Sequence, residues 1–379
     1  MDARKAGRVL AQNTTDVFVV GGGPAGLAAA IAARRKGFSV LLADGAAPPI
    51  DKPCGEGLLP ETQAALRELG IEIPAGAGYH FRGIRFVQGT TELAADFPEG
   101  QGVGIRRPVL HELLTRQAER CGVKFLWKTA VAGISIDGVH LTGGTVQARW
   151  IIGADGSGSR VRRWSKLEAV LRRTQRIASR RHYRVKPWTE CMEIHWGDRA
   201  QAYVTPISSE EVCIVVMAEK QEDANFDGAL AGLPQLRKRL AGAELASRER
   251  GAITAMHSLR RVSRGNVALV GDASGGVDAI TGEGLRLAFR QALALADSME
   301  AGDFDLYERL HKRLGRRPIW MGNLMLLLGR NGRIRRRALG ILSRRPELFA
   351  RLLAIHAGYA KPVEWIAAGA ELGWQFLAA

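Results

Sequence analysis

The stretch from Asp16 to Asp44 constrains this chain more than any other. Val17 to Val20, β-branched apart from Phe18, lead straight into Gly21-x-Gly23-x-x-Gly26, and Leu27–Arg35 then has an alanine-rich helical composition. That order is strand, tight turn, helix. Gly21 makes the turn, Gly23 lets a pyrophosphate approach the backbone, and Gly26 lets helix and strand pack closely, with Pro24 and Ala25 inside the same loop. The helix start adds N–H donors and a positive dipole end. A second apolar run, Val40–Ala43, delivers Asp44 about 20 residues further on, where a carboxylate can hold a ribose hydroxyl. Glycine-rich turns recur in unrelated loops. The strand before this one, the helix after it and the acid ending the next strand together predict a dinucleotide-binding unit.

A chain of 379 residues is too long for one small core and suggests two or three packed units. Its cysteines, Cys54, Cys121, Cys191 and Cys213, are widely separated, with no CxxC or Cys/His metal spacing, so no metal site is expected. They follow a polar start without an apolar signal core and read as reduced thiols of a cytoplasmic protein. The net charge of +16 asks for an explanation. The excess lies in Arg160–Arg184 and Arg309–Arg345, neither interleaved with stacking aromatics, so no nucleic-acid partner is expected. A solvated basic face competes with a peripheral membrane contact, at the inner membrane, through the basic C-terminal region. No apolar run reaches spanning length.

Along the chain, residues 1–13 read as an extension. Pro48 to Pro60 is a loop dense in proline and glycine, placed to touch a ligand, and Glu61–Leu69 has the spacing of a short helix. Strands are expected at Phe81–Val87, Glu92–Phe97, Lys124–Trp127, Val131–Ile136 and Val146–Ile152, with a helix at Val109–Cys121. Arg176 to Glu219 is mostly strand, Asp223–Ser247 helical, Asn266–Val270 strand, Leu285–Met299 helix, and Asp303–Ala379 helical and basic. The fold class is therefore α/β: a discontinuous Rossmann-like nucleotide-binding domain (14–75, 104–165 and 256–300), an inserted, mostly antiparallel β-sheet substrate domain (76–103 and 166–255) and a C-terminal helical cap (301–379).

Gly21-x-Gly23-x-x-Gly26, Gly153-Ala154-Asp155-Gly156-x-x-Ser159-x-x-Arg162 and Gly271-Asp272-Ala273, in that order over about residues 16–300, resemble the flavoprotein superfamily of aromatic hydroxylases, flavin-dependent halogenases and geranylgeranyl reductases. The resemblance implies FAD. It makes Asp155 a contact near the pyrophosphate and Asp272 a ligand of the ribityl chain, the alternative for both being capping of the next helix. Arg107, with Arg106 as the register alternative, matches an arginine reaching the phosphate or ribityl region. Gly282, Gly284 and Leu285 would present backbone N–H groups to the flavin ring. Cys54-Gly55-Glu56-Gly57-Leu58 resembles the loop near that ring. There Cys54 is a redox or substrate-contacting thiol or an inert one, and Glu56 an acid–base group or a carboxylate satisfied by its loop.

Three chemistries compete within that superfamily: hydroxylation, alkene reduction and halogenation. Ala202-Tyr203-Val204-Thr205-Pro206 keeps only Tyr203 and Pro206 of the reductases' substrate-sheet signature, while Val277–Gly284 looks more like the reductases' loop, and no halogenase Trp-x-Trp-x-Ile-Pro appears. The expectation is an FAD-dependent monooxygenase acting on a lipophilic aromatic or polyketide-like molecule, with Leu58, Tyr203 and Pro206 at the substrate. NADPH or NADH would serve as a transient electron donor, since no second GxGxxG is present. The alternative is a geranylgeranyl reductase-like enzyme acting on a prenyl or other lipid. A halogenase and a non-catalytic lipid-binding flavoprotein follow.

Overall fold

The computed structural model describes residues 14–168 and 170–378; the expected N-terminal extension lies outside them. Val40–Asp44, Thr14–Val20, Gly144–Gly153 and Val267–Leu269 lie side by side in one parallel sheet, with Lys124–Trp127 beyond Val40–Asp44. Parallel strands buried on both faces need continuous apolar runs, and Val17, Phe18 and Val19 are fully buried. The helices Pro24–Arg35, Arg107–Arg120 and Gly284–Glu300 cover this sheet.

The second sheet runs in the order Arg250–Leu259, Val170–Arg184, Glu211–Ala218, Ala200–Pro206, Cys191–Trp196, Gly83–Gln88, Thr91–Asp96. Its pairings are antiparallel except that of Cys191–Trp196 with Gly83–Gln88. Strand alternation splits its side chains between two cores. Met192, Ile194, Tyr203, Cys213 and Met217 face the C-terminal helices, and Ala202, Val204, Ile214 and Val216 face Phe226–Ala231 and Pro234–Arg239. Asp223–Ser247, expected to be one helical stretch, is thus two short helices with a strand at Glu244–Leu245. Arg250–Leu259 pairs within the second sheet, across the boundary drawn at residue 256, so the two domains share a strand.

The C-terminal region is four helices: Phe304–Arg330, Gly332–Arg344, Pro346–His356 and Pro362–Ala378. Asn331 separates the first two by capping the second with its side chain. Buried Tyr307 anchors the first to the parallel sheet by donating to the Leu269 carbonyl at 2.6 Å. Among the described residues no helix is long and apolar enough to cross a membrane.

Candidate active site

Gly21, Asp44, Asp155 and Asp272 leave the C-terminal ends of four neighbouring parallel strands, where open α/β sheets bind ligands. Backbone bonds join these ends: Ala154 N–H to Val20 O and Val270 N–H to Gly153 O, 2.8 and 2.9 Å. Asp44 accepts from the Gly22 N–H at 2.6 Å and the Ala46 N–H at 2.7 Å. A Cβ on Gly26 would lie 1.8 Å from the Gly21 carbonyl oxygen, whereas one on Gly23, Gly282 or Gly284 would meet nothing within 4 Å. The first glycine is therefore needed for packing, and the other three border open space.

Asp155 accepts from Ser159 Oγ at 2.5 Å and from the N–H groups of Arg160 and Val161 at 2.7 and 3.2 Å, which is capping of Arg160–Trp164. Asp272 is exposed and makes no hydrogen bond among the described residues. Arg107 opens its helix with a buried Nε that has no partner; Arg106 lies 3.7 Å from Glu211. An unpartnered guanidinium nitrogen, an open glycine turn and a free carboxylate fit a dinucleotide that supplies the missing partners.

Glu56 has φ +58° and is buried. Its carboxylate accepts from Arg107 N–H (2.9 Å) and Arg180 Nη1 (3.1 Å), and lies 2.8 Å from His182 Nε2. Arg180 also binds Asp51, so this negative charge is compensated inside the protein. The Cys54 sulfur accepts from the Glu56 N–H at 3.4 Å, and its carbonyl receives the buried Cys213 thiol, whose pKa burial pushes well up.

An apolar cavity of about 350 Å³ lies between the second sheet and the C-terminal helices. Gly57, Leu59, Ile280, Thr281 and Gly282 form its inner end; Phe86, Met192 and Ile194 come from the sheet; Met325, Leu353 and Phe376 represent the helices. Leu58 packs in the nucleotide-binding core, because strand alternation turns it away from the face that Gly57 and Leu59 share with the cavity. Tyr203 and Pro206 are buried in the second sheet outside the lining. The Tyr203 hydroxyl has no partner, and burial pushes its pKa well up. Beside it, Arg176 bridges Asp278 (3.1 Å) and Gln201 (2.6 Å), fixing the loop that leads to Gly282.

Glu283, fully buried, joins that loop to the helices. One of its oxygens takes Arg286 at 2.8 Å and Arg317 at 3.0 Å, and Arg317 also pairs with Glu61. Sequence reasoning missed Arg317, Arg176, Arg180 and His356. The three arginines sit in stretches that read as basic surface, and a single histidine in a helical tail carries no motif.

A nucleotide cleft whose open glycine turn adjoins an apolar cavity fits a flavin-dependent oxidoreductase. The chain belongs to the FAD binding domain family, whose model matches residues 14–301. It is 30% identical over 318 residues to the menaquinone reductase of Mycobacterium tuberculosis, covering 77% of this chain and 78% of that one. It is 28% identical over 315 residues to the geranylgeranyl diphosphate reductase of Synechocystis sp., covering 75% of each. A flavoprotein/dehydrogenase from Cytophaga hutchinsonii shares the fold, with a TM-score of 0.78 at 20% identity over 91% of this chain and 93% of that one.

Proposed function

We propose that this protein reduces carbon–carbon double bonds in the prenyl chain of a lipid, which places the reductase reading ahead of the hydroxylase expected from sequence. The cavity carries this proposal. Its side chains are apolar apart from Thr281 and His356, so it suits a long hydrocarbon and offers almost nothing to orient a small polar ring. The names of the two relatives, a menaquinone reductase and a geranylgeranyl diphosphate reductase, point the same way.

Bound FAD supplies hydride chemistry. The glycine turn at Gly21–Gly26 and the Asp44 carboxylate would hold its adenine nucleotide half, Arg107 and Asp272 its middle, and the Gly282–Gly284 backbone its ring edge. The chain brings the hydrocarbon to that edge and keeps water from it. NADPH or NADH is the proposed donor, binding transiently.

The lipid enters from a bilayer. On Pro362–Ala378, Leu372 and Phe376 line the cavity while Val363, Ile366 and Trp374 are 67%, 75% and 68% exposed. On the neighbouring helix, Arg313, Arg316, Trp320 and Leu327 follow one stripe, with Trp320 stacked on Trp365. Neither Arg313 nor Arg316 forms an ion pair among the described residues. An apolar face continuous with a lipid cavity and bordered by unpaired arginines fits an anionic membrane surface.

The test supplies FAD-loaded protein with NADPH or NADH and a prenylated quinone or geranylgeranyl lipid in vesicles, and weighs the product. A gain of two hydrogens is expected. A gain of oxygen would hand the chain to the hydroxylases.

A further inference from the structure

Adding hydrogen across a double bond requires a hydride at one carbon and a proton at the other. The lining of the hydrocarbon cavity is apolar and offers water few partners, so a side chain must carry the proton in. Among the residues lining it only Thr281 and His356 bear exchangeable side-chain protons, and Thr281 commits its hydroxyl to the Asp278 carbonyl at 2.9 Å. Resting on the reductase reading, we propose that His356 is the proton donor to the substrate and that Glu283 is the positioning residue that holds and recharges it.

The placement supports this. His356 ends the helix Pro346–His356 and lines the cavity together with Thr281 and Gly282, the turn that leads to the expected ring-binding backbone. Its Nδ1 lies 3.9 Å from the second carboxylate oxygen of Glu283, and neither atom has a hydrogen-bond partner. Two buried polar atoms facing each other without partners are costly, and a proton exchange between them accounts for their retention. The first oxygen of Glu283 is taken by Arg286 and Arg317, which fixes the second toward the imidazole. Gly358 seats this corner, since a Cβ there would collide with Glu61 and Arg317.

The charged groups around the ring are Glu283 and Arg286 at the start of Gly284–Glu300, Arg317 on Phe304–Arg330 and Glu61 on Pro60–Glu68. Burial lowers the His356 pKa, Glu283 opposes that, Arg317 and Arg286 add to it, and a hydrogen bond from the ring to the Thr281 backbone, exchanged for substrate in the transfer, opposes it again. A lowered pKa makes the imidazolium a stronger acid. In the balanced step, the two electrons and one hydrogen come as hydride from reduced flavin and the second hydrogen leaves the imidazolium. The carbon–carbon π bond breaks, two C–H bonds form, and neutral His356 regains its proton through Glu283.

The experiment uses the FAD-loaded protein with a prenylated quinone in vesicles. Wild type in D2O should place at least one solvent deuterium at each double bond it reduces. His356→Gln should slow substrate-driven flavin reoxidation about 100-fold, in the range lost with a general acid. Flavin reduction by the donor and lipid binding, read by tryptophan fluorescence, should be unchanged. Histidine NMR of the protein without substrate should show the His356 pKa falling further in Glu283→Gln. If wild type makes saturated product but His356→Gln, folded by its melting curve, reoxidises at the wild-type rate, the proposal fails while the reductase reading stands. An unchanged His356 pKa in Glu283→Gln would remove Glu283 from its role. An oxygenated product from wild type would sink both.

Discussion

Arg317 and Glu61, 256 positions apart, form a two-pronged ion pair that locks the longest C-terminal helix onto the short helix following the Cys54–Leu58 loop. Arg317 also reaches Glu283, so one guanidinium compensates two carboxylates, one of them fully buried. Burial works against its charge, yet these partners hold its pKa above the ordinary value.

Arg317→Met leaves Glu61 and the buried Glu283 with Arg286 alone and should therefore destabilise the protein by up to about 3 kcal/mol, the lower end of the cost of breaking a buried pair. Urea unfolding checks this. Arg317→Lys keeps the charge but loses the planar fork and should recover only part of the loss.

Gly26 and Gly23 separate packing from ligand binding. Gly26→Ala drives a methyl against the Gly21 carbonyl and should lower thermal stability even without cofactor. Gly23→Ala meets no protein atom, so it should fold with an unchanged melting temperature and lose FAD affinity. Melting curves with the visible flavin spectrum distinguish the two.

This contrast also marks what the sequence made legible. A parallel strand buried on both faces announces itself by an unbroken apolar run, and a phosphate turn by its glycines, so the nucleotide cleft could be read directly. The long strand Val170–Arg184 is legible only in its second half, because closely spaced arginines hide an apolar pattern. Arg176 and Arg180 are buried against Asp278, Asp51 and Glu56, partners more than 100 positions away. Charge compensation of that kind is invisible to local composition. The cavity was equally hidden, since helices from the tail close it over a sheet from mid-chain.

Acid should weaken the fold before the carboxylates titrate. His311 lies between helices Gly284–Glu300 and Phe304–Arg330, its Nε2 2.9 Å from the Gln291 amide nitrogen, which can only donate. That nitrogen must accept, and burial pushes the pKa from 6.5 down to about 4. The unfolded chain binds this proton more readily, so stability is complete above pH 6.5 and falls as the pH drops toward 4. His311 alone accounts for up to about 3 kcal/mol. His111 and His356, also lowered by burial, add to it. Denaturation midpoints between pH 7 and 4 test this, and His311→Gln should flatten the slope.

Membrane docking has an equally specific signature. Ile366 and Trp374 project from a helix whose opposite side, through Ala368, Leu372 and Phe376, packs on the protein core. Replacing both outer residues with serine should leave folding intact, because neither contributes to that core. Burying a large apolar side chain in lipid contributes about 1.5–3 kcal/mol, so the double variant should bind vesicles at least tenfold more weakly. Arg313→Glu with Arg316→Glu should remove the preference for phosphatidylglycerol over pure phosphatidylcholine vesicles, and added salt should mimic that loss in wild type. Vesicle flotation measures each. If the serine variant floats like wild type but no longer self-associates in solution, this face joins two copies of the chain, and the lipid must reach the cavity by another route.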